Sequence, residues 1–337
     1  MKTVGMHLVE LLELYGVDTV FGIPGVHTVE LYRGLPGSGI RHVTPRHEQG
    51  AAFMADGYAR ATGKPGVCFL ITGPGLTNAI TAMGQAYADS VPMLVVTAVN
   101  ALGEMGSGDG FLHELPDQRK VASGVTAFSH TVTKPAELAQ VLARAFAVFD
   151  GARPRPVHIE IPIDVIVASA ENLPLPAAVD RIARPVPPAA RIAAAAERLA
   201  AAERPLIFAG GGAVDAAAEL RSLAETLDAP VILTINGRGI LPAGHRLAVP
   251  YSPSMRAVRR LIAEADVVAA FGTEIGPTDY DFYSDGGFAL PGFTIRVDVD
   301  PEQMMRTRVA DLALLGDTGP TAQAIAAALA PRQADGA

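Results

Sequence analysis

Glu48 is the residue whose setting in the sequence most suggests acid–base chemistry. It stands where a short extended run, residues 40–43, gives way to a segment in which small and apolar residues recur at helical spacing. A carboxylate in the first turn of a helix is stabilised by the free backbone N–H groups and by the helix dipole. The position of Glu48 alone therefore favours a carboxylate that stabilises its own helix. A chemical role requires further residues from neighbouring segments beside it.

Two loops rich in glycine and proline follow apolar, strand-like runs on either side of Glu48 in the sequence. Their members are Pro24, Gly25, Gly73, Pro74 and Gly75. Glycine lets the backbone turn sharply and approach a ligand closely. In parallel α/β sheets, ligands bind beyond the carboxyl ends of the strands. We therefore expect both loops and Glu48 to line one crevice.

The elements that must position these residues alternate between amphipathic helices and apolar strands along the chain. This alternation predicts an α/β protein whose parallel sheets are covered on both faces by helices. Segment 171–189 is rich in proline and alanine, lacks periodicity and is typical of a linker. We therefore predict two doubly wound parallel-sheet domains, 1–170 and 190–330, the second of them Rossmann-like, and a polar tail at 331–337.

Composition and charge exclude several classes of function. The 337 residues are 49% hydrophobic and carry a net charge of -8 without a basic stripe, which argues against nucleic acid as a partner. No apolar run is long enough to span a bilayer, and the N-terminal segment lacks a signal-peptide pattern, so we expect a soluble, cytoplasmic protein. The single cysteine, Cys68, lies in an apolar strand and is expected to be a buried structural thiol.

Four motifs carry a resemblance to a known family. They are residues 21–25 (Phe-Gly-Ile-Pro-Gly), 47–60 (from His-Glu-Gln-Gly to Gly-Tyr-Ala-Arg), 73–78 (Gly-Pro-Gly-Leu-Thr-Asn) and 88–92 (Ala-Asp-Ser-Val-Pro). Together they resemble the pyrimidine-binding domain of thiamine-diphosphate-dependent enzymes of the acetolactate synthase branch. Residues 156–164 resemble the end of that domain, and residues 190–330 resemble the family's central domain. The resemblance thus covers nearly the whole chain.

The resemblance implies a catalytic role for Glu48. In the family, the matching acid hydrogen-bonds N1′ of the cofactor's aminopyrimidine and makes the cofactor's own amino group basic. The implied substrate is a 2-oxo acid, which is decarboxylated or joined to a second carbonyl compound. His113 is a second candidate catalytic residue that could orient the substrate or shuttle a proton, although a loop histidine without a role is the alternative. The implied cofactor-binding residues are Pro24, Gly25, Glu48, Gly73, Pro74, Gly75, Asn78 and Gln85.

The sequence departs from the family in one large respect, because no third domain that holds the cofactor diphosphate through Mg²⁺ is recognisable. Gly108-Asp109-Gly110 matches part of that domain's signature, but it has no preceding strand, and we interpret it as a glycine-rich turn. No other stretch offers the oxygen ligands of Mg²⁺, so we expect no metal ligand from this chain. We therefore expect thiamine diphosphate and Mg²⁺ to be held jointly with a missing domain or a partner chain, in a homodimer or with a complementary subunit.

Two differences from acetolactate synthase bear on the substrate. Where those enzymes usually have Gly-Gln-Val and Phe-Gln-Glu, this chain has Ala-Val-Asn at 98–100 and Leu-His-Glu at 112–114. Several runs look instead most like 5-guanidino-2-oxopentanoate decarboxylase. A guanidinium group would favour carboxylates. The loop contains Glu104, Asp109, Glu114 and Asp117, although solvated loop charges explain them equally well.

Three alternatives stay open at this point. Gly210-Gly211-Gly212 could cradle a dinucleotide diphosphate, since some relatives bind FAD here, but a structural turn explains the triplet as well. The chain could also be a non-catalytic binding or assembly subunit of the same family. It could equally be part of an enzyme similar to the acetolactate synthase large subunit.

Overall fold

A computed structural model describes residues 1–281 and 289–332. These residues form two compact units, which divide between Ala183 and Arg184. Each unit contains a six-stranded sheet whose paired strands are parallel, which confirms the predicted α/β class. Of the tail predicted at 331–337, residues 333–337 lie outside the described residues. In the described part of the chain, no helix combines the length and apolar composition that crossing a membrane requires.

The first unit is doubly wound around its first and third strands. Its strands β1 to β6 are Thr19–Gly22, Arg41–Val43, Gly66–Leu70, Met93–Val99, Phe128–Thr131 and Val157–Pro162. Its helices α1 to α7 are Val4–Leu14, Val29–Arg33, Glu48–Thr62, Pro74–Asp89, Gln118–Ser123, Leu138–Gly151 and Ile163–Ile166. The strand order is β2-β1-β3-β4-β6-β5, so the direction of winding changes between β1 and β3. The carboxyl ends of these two strands are where sheets of this kind bind ligands.

Strand β3 is covered on both faces because its side chains alternate between two hydrophobic clusters. Val67 and Phe69 belong to the cluster that includes α1 and α6, whereas Cys68 and Leu70 belong to the cluster that includes α3 and α4. Cys68 is completely buried, and burial raises the pKa of its thiol. The prediction of a buried, structural cysteine is thereby confirmed.

Helix α3 begins at Glu48 because His47 is extended and its ring Nδ1 accepts a hydrogen bond from the N–H of Gln49. The helix lies directly on β3. A Cβ atom at Gly66 would come within 2.1 Å of the carbonyl oxygen of Ala55, so this contact requires glycine. The close packing fixes the start of α3, and with it Glu48, at the carboxyl edge of the sheet.

The second unit repeats the parallel architecture. Its strands β7 to β12 are Pro205–Ala209, Val231–Leu233, Ala248–Val249, Val267–Phe271, Phe293–Asp298 and Leu312–Leu315. Its helices α8 to α12 are Ala189–Ala201, Ala217–Leu227, Arg256–Glu264, Pro277–Tyr280 and Thr318–Ala327. The strand order is β12-β11-β10-β7-β8-β9. Arg296 is buried in β11, where its guanidinium donates to backbone carbonyl oxygens, including that of Thr273 at 2.8 Å.

The structure differs from the sequence pattern in several elements. The pattern predicts a helix from Thr28 to Leu35, whereas the structure has a 3-10 turn at Val26–Thr28 followed by α2. The repeated glycines of segment 101–120 predict a loop, whereas α5 begins inside this segment. Strand β5 was not predicted, because its four half-buried residues, Phe-Ser-His-Thr, form no apolar run.

Candidate active site

Glu48 is half-buried, and one hydrogen bond orients its carboxyl group. Asn78 on α4 donates from Nδ2 to Glu48 Oε2 at 2.9 Å. The other oxygen, Oε1, has no hydrogen-bond partner among the described residues. The carboxyl group is therefore held in one orientation while one of its oxygens stays available to a ligand.

The two glycine loops converge on the side chain of Ile71. A Cβ atom at Gly25 would lie 2.5 Å from Cδ1 of Ile71, and a Cβ atom at Gly75 would lie 2.5 Å from its Cγ2. The same atom at Gly75 would be 3.8 Å from Cγ of Glu48. The structure thus brings Gly25 and Gly75 together around Ile71, with Glu48 beside Gly75, and the crevice that the sequence predicts for these residues stays a prediction.

Gly73 forms the sharp turn that starts α4. Its φ is 62°, which side chains disfavour, and Pro74 follows as the first residue of the helix. Its N–H donates to Oε1 of Gln118 at 2.7 Å. A Cβ atom at Gly73 would lie 2.2 Å from the carbonyl oxygen of His113, so the turn packs against the loop that carries His113.

His113 is exposed and has a φ of 57°, an uncommon conformation for a residue with a side chain. Its ring centroid lies 6.2 Å from that of His27, which follows the first glycine loop and is buried. Burial, with the nearby His113 as a second cause, lowers the pKa of His27. Nδ1 of His27 is buried without a hydrogen-bond partner in the described structure. A neutral His27 therefore has an unused polar atom in the neighbourhood of His113.

Glu114 organises the loop that carries His113. Its carboxylate accepts hydrogen bonds from Ser107 Oγ and from the N–H groups of Gly108, Gly110 and Phe111. The pKa of Glu114 is lowered, chiefly by the Gly108 N–H; burial opposes this, and the remaining donors lower the pKa further. Gly108 and Gly110 have φ of 79° and 87°, so Gly108-Asp109-Gly110 is a turn, as the sequence analysis interpreted it.

The other loop carboxylates differ in how they are engaged. Glu104 accepts a hydrogen bond from the N–H of Ala101, and Asp117 caps α5 by accepting one from the N–H of Lys120. Asp109 is exposed, and its side chain makes no hydrogen bond among the described residues. Most of these carboxylates therefore stabilise the backbone of their own loop. Asp109 is the loop carboxylate whose oxygens are available to a cationic ligand.

Gln85 lies apart from the other predicted cofactor-binding residues. It follows Asn78 by about two turns of α4, roughly 10 Å along the helix. Its exposed side chain donates to Oδ2 of Asp89 at 2.7 Å, and Arg60 on α3 donates to the same oxygen. In this structure Gln85 therefore supports the packing of α3 against α4, and no contact joins it to Glu48.

In the second unit, the glycine triplet is explained by its own packing. A Cβ atom at Gly210 would lie 2.4 Å from the carbonyl oxygen of Gly272, and one at Gly212 would lie 3.0 Å from Cα of Gly272. Asp298 accepts a hydrogen bond from the N–H of Asp300 and so stabilises the turn after β11. The close packing against Gly272 accounts for the glycine triplet without a bound dinucleotide.

Sequence reasoning missed three residues of the site: Ile71, His27 and Gln118. Ile71 looks like an ordinary strand residue, and its position between two loops depends on the strand order. Gln118 follows Asp117, the N-cap of α5, so its local sequence indicates only the start of a helix. The isolated His27, two residues after Gly25, was the one signal that sequence reasoning could have used.

The residues of this crevice fit the aminopyrimidine of thiamine diphosphate. Glycines at 25, 73 and 75 let the two turns pack closely against Ile71 and the His113 carbonyl, and Glu48 presents a free carboxyl oxygen that suits a ring nitrogen. Thr72 Oγ1, next to this turn, is also buried without a hydrogen-bond partner in the described structure. Among the described residues there is no group of three or more His, Cys, Asp or Glu side chains that could hold a metal ion.

Comparison with known proteins agrees with this interpretation. Residues 2–121 match the sequence model of the N-terminal thiamine-pyrophosphate-binding domain of thiamine pyrophosphate enzymes. Residues 192–325 match the model of the central domain of the same enzymes. The two matches follow each other in the order that the sequence motifs predicted.

Individual relatives point the same way. A Pseudomonas aeruginosa protein named "Probable 2-ketoarginine decarboxylase AruI" is 52% identical over 335 residues, which are 99% of this chain and 59% of that protein. The acetolactate synthase isozyme 1 large subunit of Escherichia coli is 34% identical over 318 residues, which are 92% of this chain and 55% of that protein. This chain is also similar to an X-ray structure of a Mycobacterium smegmatis protein that is described as a thiamin diphosphate-dependent enzyme. The match covers 99% of this chain and 64% of the Mycobacterium smegmatis chain, with a TM-score of 0.86 and 26% sequence identity.

The chain spans only part of the length of these relatives, between 55% and 59% of the two curated ones. Over that span the motifs, the two parallel sheets and the sequence similarity all agree. The chain therefore belongs to the thiamine pyrophosphate enzyme family, of which it carries the N-terminal thiamine-pyrophosphate-binding domain and the central domain.

Proposed function

We propose that this chain is the pyrimidine-binding and central part of a thiamine-diphosphate-dependent enzyme that acts on a 2-oxo acid. The observation that carries the proposal is the Glu48 carboxyl, which Asn78 orients between two glycine loops. Domains 1–170 and 190–330, joined by 171–189, would supply the pyrimidine pocket and the central fold. A cytoplasmic location is part of the same proposal.

The chain's own residues would act on the cofactor ring in a defined way. Asn78 holds Oε2 of Glu48, so Oε1 is the oxygen that would share a proton with a nitrogen of the pyrimidine ring. Pro24, Gly25, Gly73, Pro74 and Gly75 would border the ring, and the three glycines let these turns pack closely against Ile71 and the His113 carbonyl. When bound, thiamine diphosphate supplies the carbon nucleophile that attacks the 2-oxo acid. His113, beside the Gly73 turn, would orient the substrate or carry a proton at the rim of the site.

For the substrate, we propose a 2-oxo acid with a guanidinium group, 5-guanidino-2-oxopentanoate, which is decarboxylated. The name of the Pseudomonas aeruginosa relative, a 2-ketoarginine decarboxylase, supports this choice. Exposed Asp109 is the loop carboxylate that could pair with the guanidinium. The similarity to acetolactate synthase favours a second candidate, in which the product is joined to another carbonyl compound. Analysis of the products, aldehyde or acetohydroxy acid, separates the two.

The diphosphate and Mg²⁺ would be held outside the described residues, by a further part of the protein or by a partner chain. A homodimer, or a complex with a complementary chain, would complete the cofactor site. For the glycine triplet of the second unit we propose a structural role rather than an FAD site, because Gly272 occupies the space beside it. Flavin absorption bands in the purified full-length protein would argue against that assignment.

The decisive experiment compares Glu48→Gln with Glu219→Gln in the full-length protein. Each glutamate stands in the first turn of its helix, so loss of its charge should lower the free energy of unfolding by about 0.5 kcal/mol in both variants. E48Q should lose about 1 kcal/mol more, because Asn78 also donates to the Glu48 carboxylate. Only E48Q should lower kcat for decarboxylation in the presence of thiamine diphosphate and Mg²⁺, by about a hundredfold or more. Steady-state kinetics and thermal unfolding measure the two effects.

Wild-type-like turnover of a folded E48Q protein would remove Glu48 from the chemistry. Absence of turnover in the wild-type protein, with thiamine diphosphate bound and all candidate 2-oxo acids supplied, would instead favour a non-catalytic subunit. Equal losses of activity in E48Q and E219Q would attribute the effect to helix stability.

A further inference from the structure

Gln118 is a buried polar residue that connects the Gly73 turn to the interior of the first sheet. Its side chain is 3% exposed at the start of α5. Oε1 accepts the hydrogen bond from the Gly73 N–H at 2.7 Å. Nε2 faces three oxygens, Thr97 Oγ1 at 3.1 Å, the carbonyl of Ala98 at 3.0 Å and Glu160 Oε2 at 3.1 Å.

These partners fix the orientation of the Gln118 amide. The Gly73 N–H is a donor and needs an acceptor, whereas the Ala98 carbonyl is an acceptor and needs a donor. Rotating the amide by 180° would set donor against donor and acceptor against acceptor. The side chain therefore has one orientation in which Oε1 accepts from Gly73 and both N–H groups of Nε2 point at acceptors, and its Oε1 is held towards Gly73.

Glu160, the deepest partner of Gln118, is itself held in place. It lies in the centre of β6, is completely buried, and accepts a second hydrogen bond from Thr131 Oγ1 on β5 at 2.6 Å. Gln118 and Glu160 also line a cavity of about 720 Å³ whose walls do not include Glu48 or the glycine loops. Gln118 thus stands between this cavity and the Gly73 turn, braced by three strands.

The position of Gly73 bears directly on Glu48. Gly73 is the N-cap of α4 with φ 62° and ψ -107°, a conformation that glycine adopts readily and other residues rarely do. Five residues later, the same helix presents Asn78 to Glu48 Oε2. A shift of the turn would move the first turns of α4 and change the Asn78–Glu48 hydrogen bond.

We propose that Gln118 is a positioning residue for the cofactor site, which acts through the Gly73 N–H to hold Asn78 and Glu48 in register with the aminopyrimidine. The inference rests on the proposed function, because the register matters only if the ring binds there. It assigns a role to a residue that touches neither substrate nor cofactor.

The test uses Gln118→Met, the double variant Gln118→Glu/Glu160→Gln and the control Gln140→Met in the full-length protein. Methionine at 118 keeps the length but removes the acceptor for Gly73. The double variant keeps that acceptor and supplies, from position 160, the donor that a glutamate at 118 lacks. Gln140 is an exposed glutamine of α6 that lines the same cavity. Amide hydrogen exchange of the peptide around Gly73 reports on the turn, and calorimetric titration with thiamine diphosphate and Mg²⁺ gives the Kd.

We expect Q118M to speed exchange at Gly73 and to weaken thiamine diphosphate binding, each by about tenfold. Q118E/E160Q should stay within about threefold of wild type in both, and Q140M should match wild type. Faster exchange at Gly73 with an unchanged Kd would reduce Gln118 to a structural residue, and unchanged exchange would remove the proposed contact. Should Q118M fail to fold, Q118E/E160Q decides, since loss of either readout in this variant overturns the proposal. A wild-type protein that does not bind thiamine diphosphate contradicts the proposed function first, and this inference with it.

Discussion

The carboxyl group of Glu48 owes its orientation to a residue 30 positions away in the sequence, Asn78. A hydrogen bond to a carboxylate is worth about 1.5–3 kcal/mol, more than the favourable effect of a helix N-terminus on an exposed charge. The partner that decides what Glu48 can do is therefore the neighbouring helix rather than its own. Glu48 is therefore more than a carboxylate that stabilises the start of its helix, because Asn78 orients it and one of its oxygens remains available to a ligand.

Replacing Asn78 by alanine should lower kcat/KM for the 2-oxo acid by about 10- to 100-fold, because Glu48 loses the donor that orients it. Thr81→Ala, on the same helix and exposed, is the control and should change stability and activity little, within about 0.5 kcal/mol. Steady-state kinetics of both variants, with circular dichroism to verify folding, make the comparison. Equal kinetics of N78A and wild type would mean that Glu48 needs no orienting partner.

Local motifs explain why part of this site could be predicted and part could not. Glu48 and the two glycine loops stand in contiguous segments whose spacing is visible in the sequence. The contact between Gly73 and Gln118 joins residues 45 positions apart and exists because β3, β4 and β6 are neighbours. Strand order is a property of the whole sheet, so no window of sequence could reveal that contact. The overall α/β class, by contrast, follows from alternation alone and was predicted.

Strand β6 contributes two buried ionisable groups that act in opposite senses on stability. His158 hydrogen-bonds Thr97 on β4 and Ser129 on β5, and complete burial lowers its pKa from 6.5 to about 3. Burial also raises the pKa of Glu160, against the smaller effect of its hydrogen bonds. The neutral forms of both groups are the ones that suit the centre of the sheet.

Because the unfolded chain takes up a proton at His158 below pH 6.5 and the folded chain does so only near pH 3, the wild-type protein should lose stability as pH falls through this window. The slope from this one group is at most about 1.4 kcal/mol per pH unit. His158→Gln should remove that slope, and His245→Gln, in the second unit, should keep it. Urea unfolding followed by circular dichroism at a series of pH values measures it. The same slope in H158Q would show that another group is responsible. Glu160 has the opposite effect: its neutral form suits the folded state, and the stabilisation that this gives is lost as the pH rises through its raised pKa.

The loop between β4 and α5 is held by one acid rather than by an apolar core. Glu114 accepts hydrogen bonds from the backbone N–H groups of three residues. The side chain of Asn100 donates to the carbonyl oxygen of Leu112 at 3.1 Å. Such a loop has little buried apolar surface, so its order depends on these polar contacts. His113 inherits its position from them.

Glu114→Ala should leave the thermal midpoint nearly unchanged but accelerate amide exchange at residues 108–111 by about tenfold or more. Its effect on kcat/KM should resemble that of His113→Ala, since both remove the histidine from its place. Asp109→Ala, in the same loop, is the control for exchange because the Asp109 side chain makes no hydrogen bond among the described residues. Unchanged exchange in E114A would show that the loop is held by other contacts.

On the scale of the whole molecule, each unit has hydrophobic clusters of its own. The clusters of the first unit lie within residues 4–170, and those of the second lie within residues 195–325. A unit of this size buries enough apolar surface to be stable by itself. Every contact described for Glu48 lies inside the first unit, so its geometry does not depend on the second.

A fragment of residues 1–183 should therefore fold alone, with a single cooperative thermal transition followed by circular dichroism. A fragment of residues 1–150 lacks β6, which pairs with both β4 and β5, and should fail to fold. Non-cooperative melting of the longer fragment would indicate that the first unit needs the rest of the chain.

Ile71 packs against both Gly25 and Gly75, so substitutions at these three positions should depend on one another. Its flexible Cδ1 fills the space beside Gly25, and its rigid Cγ2 fills the space beside Gly75. A methyl group at position 25 can be accepted by a rotation of the isoleucine, whereas one at position 75 requires a smaller residue at 71. Homologues and variant libraries should therefore show substitutions at 75 paired with a smaller residue at 71, and those at 25 occurring more freely.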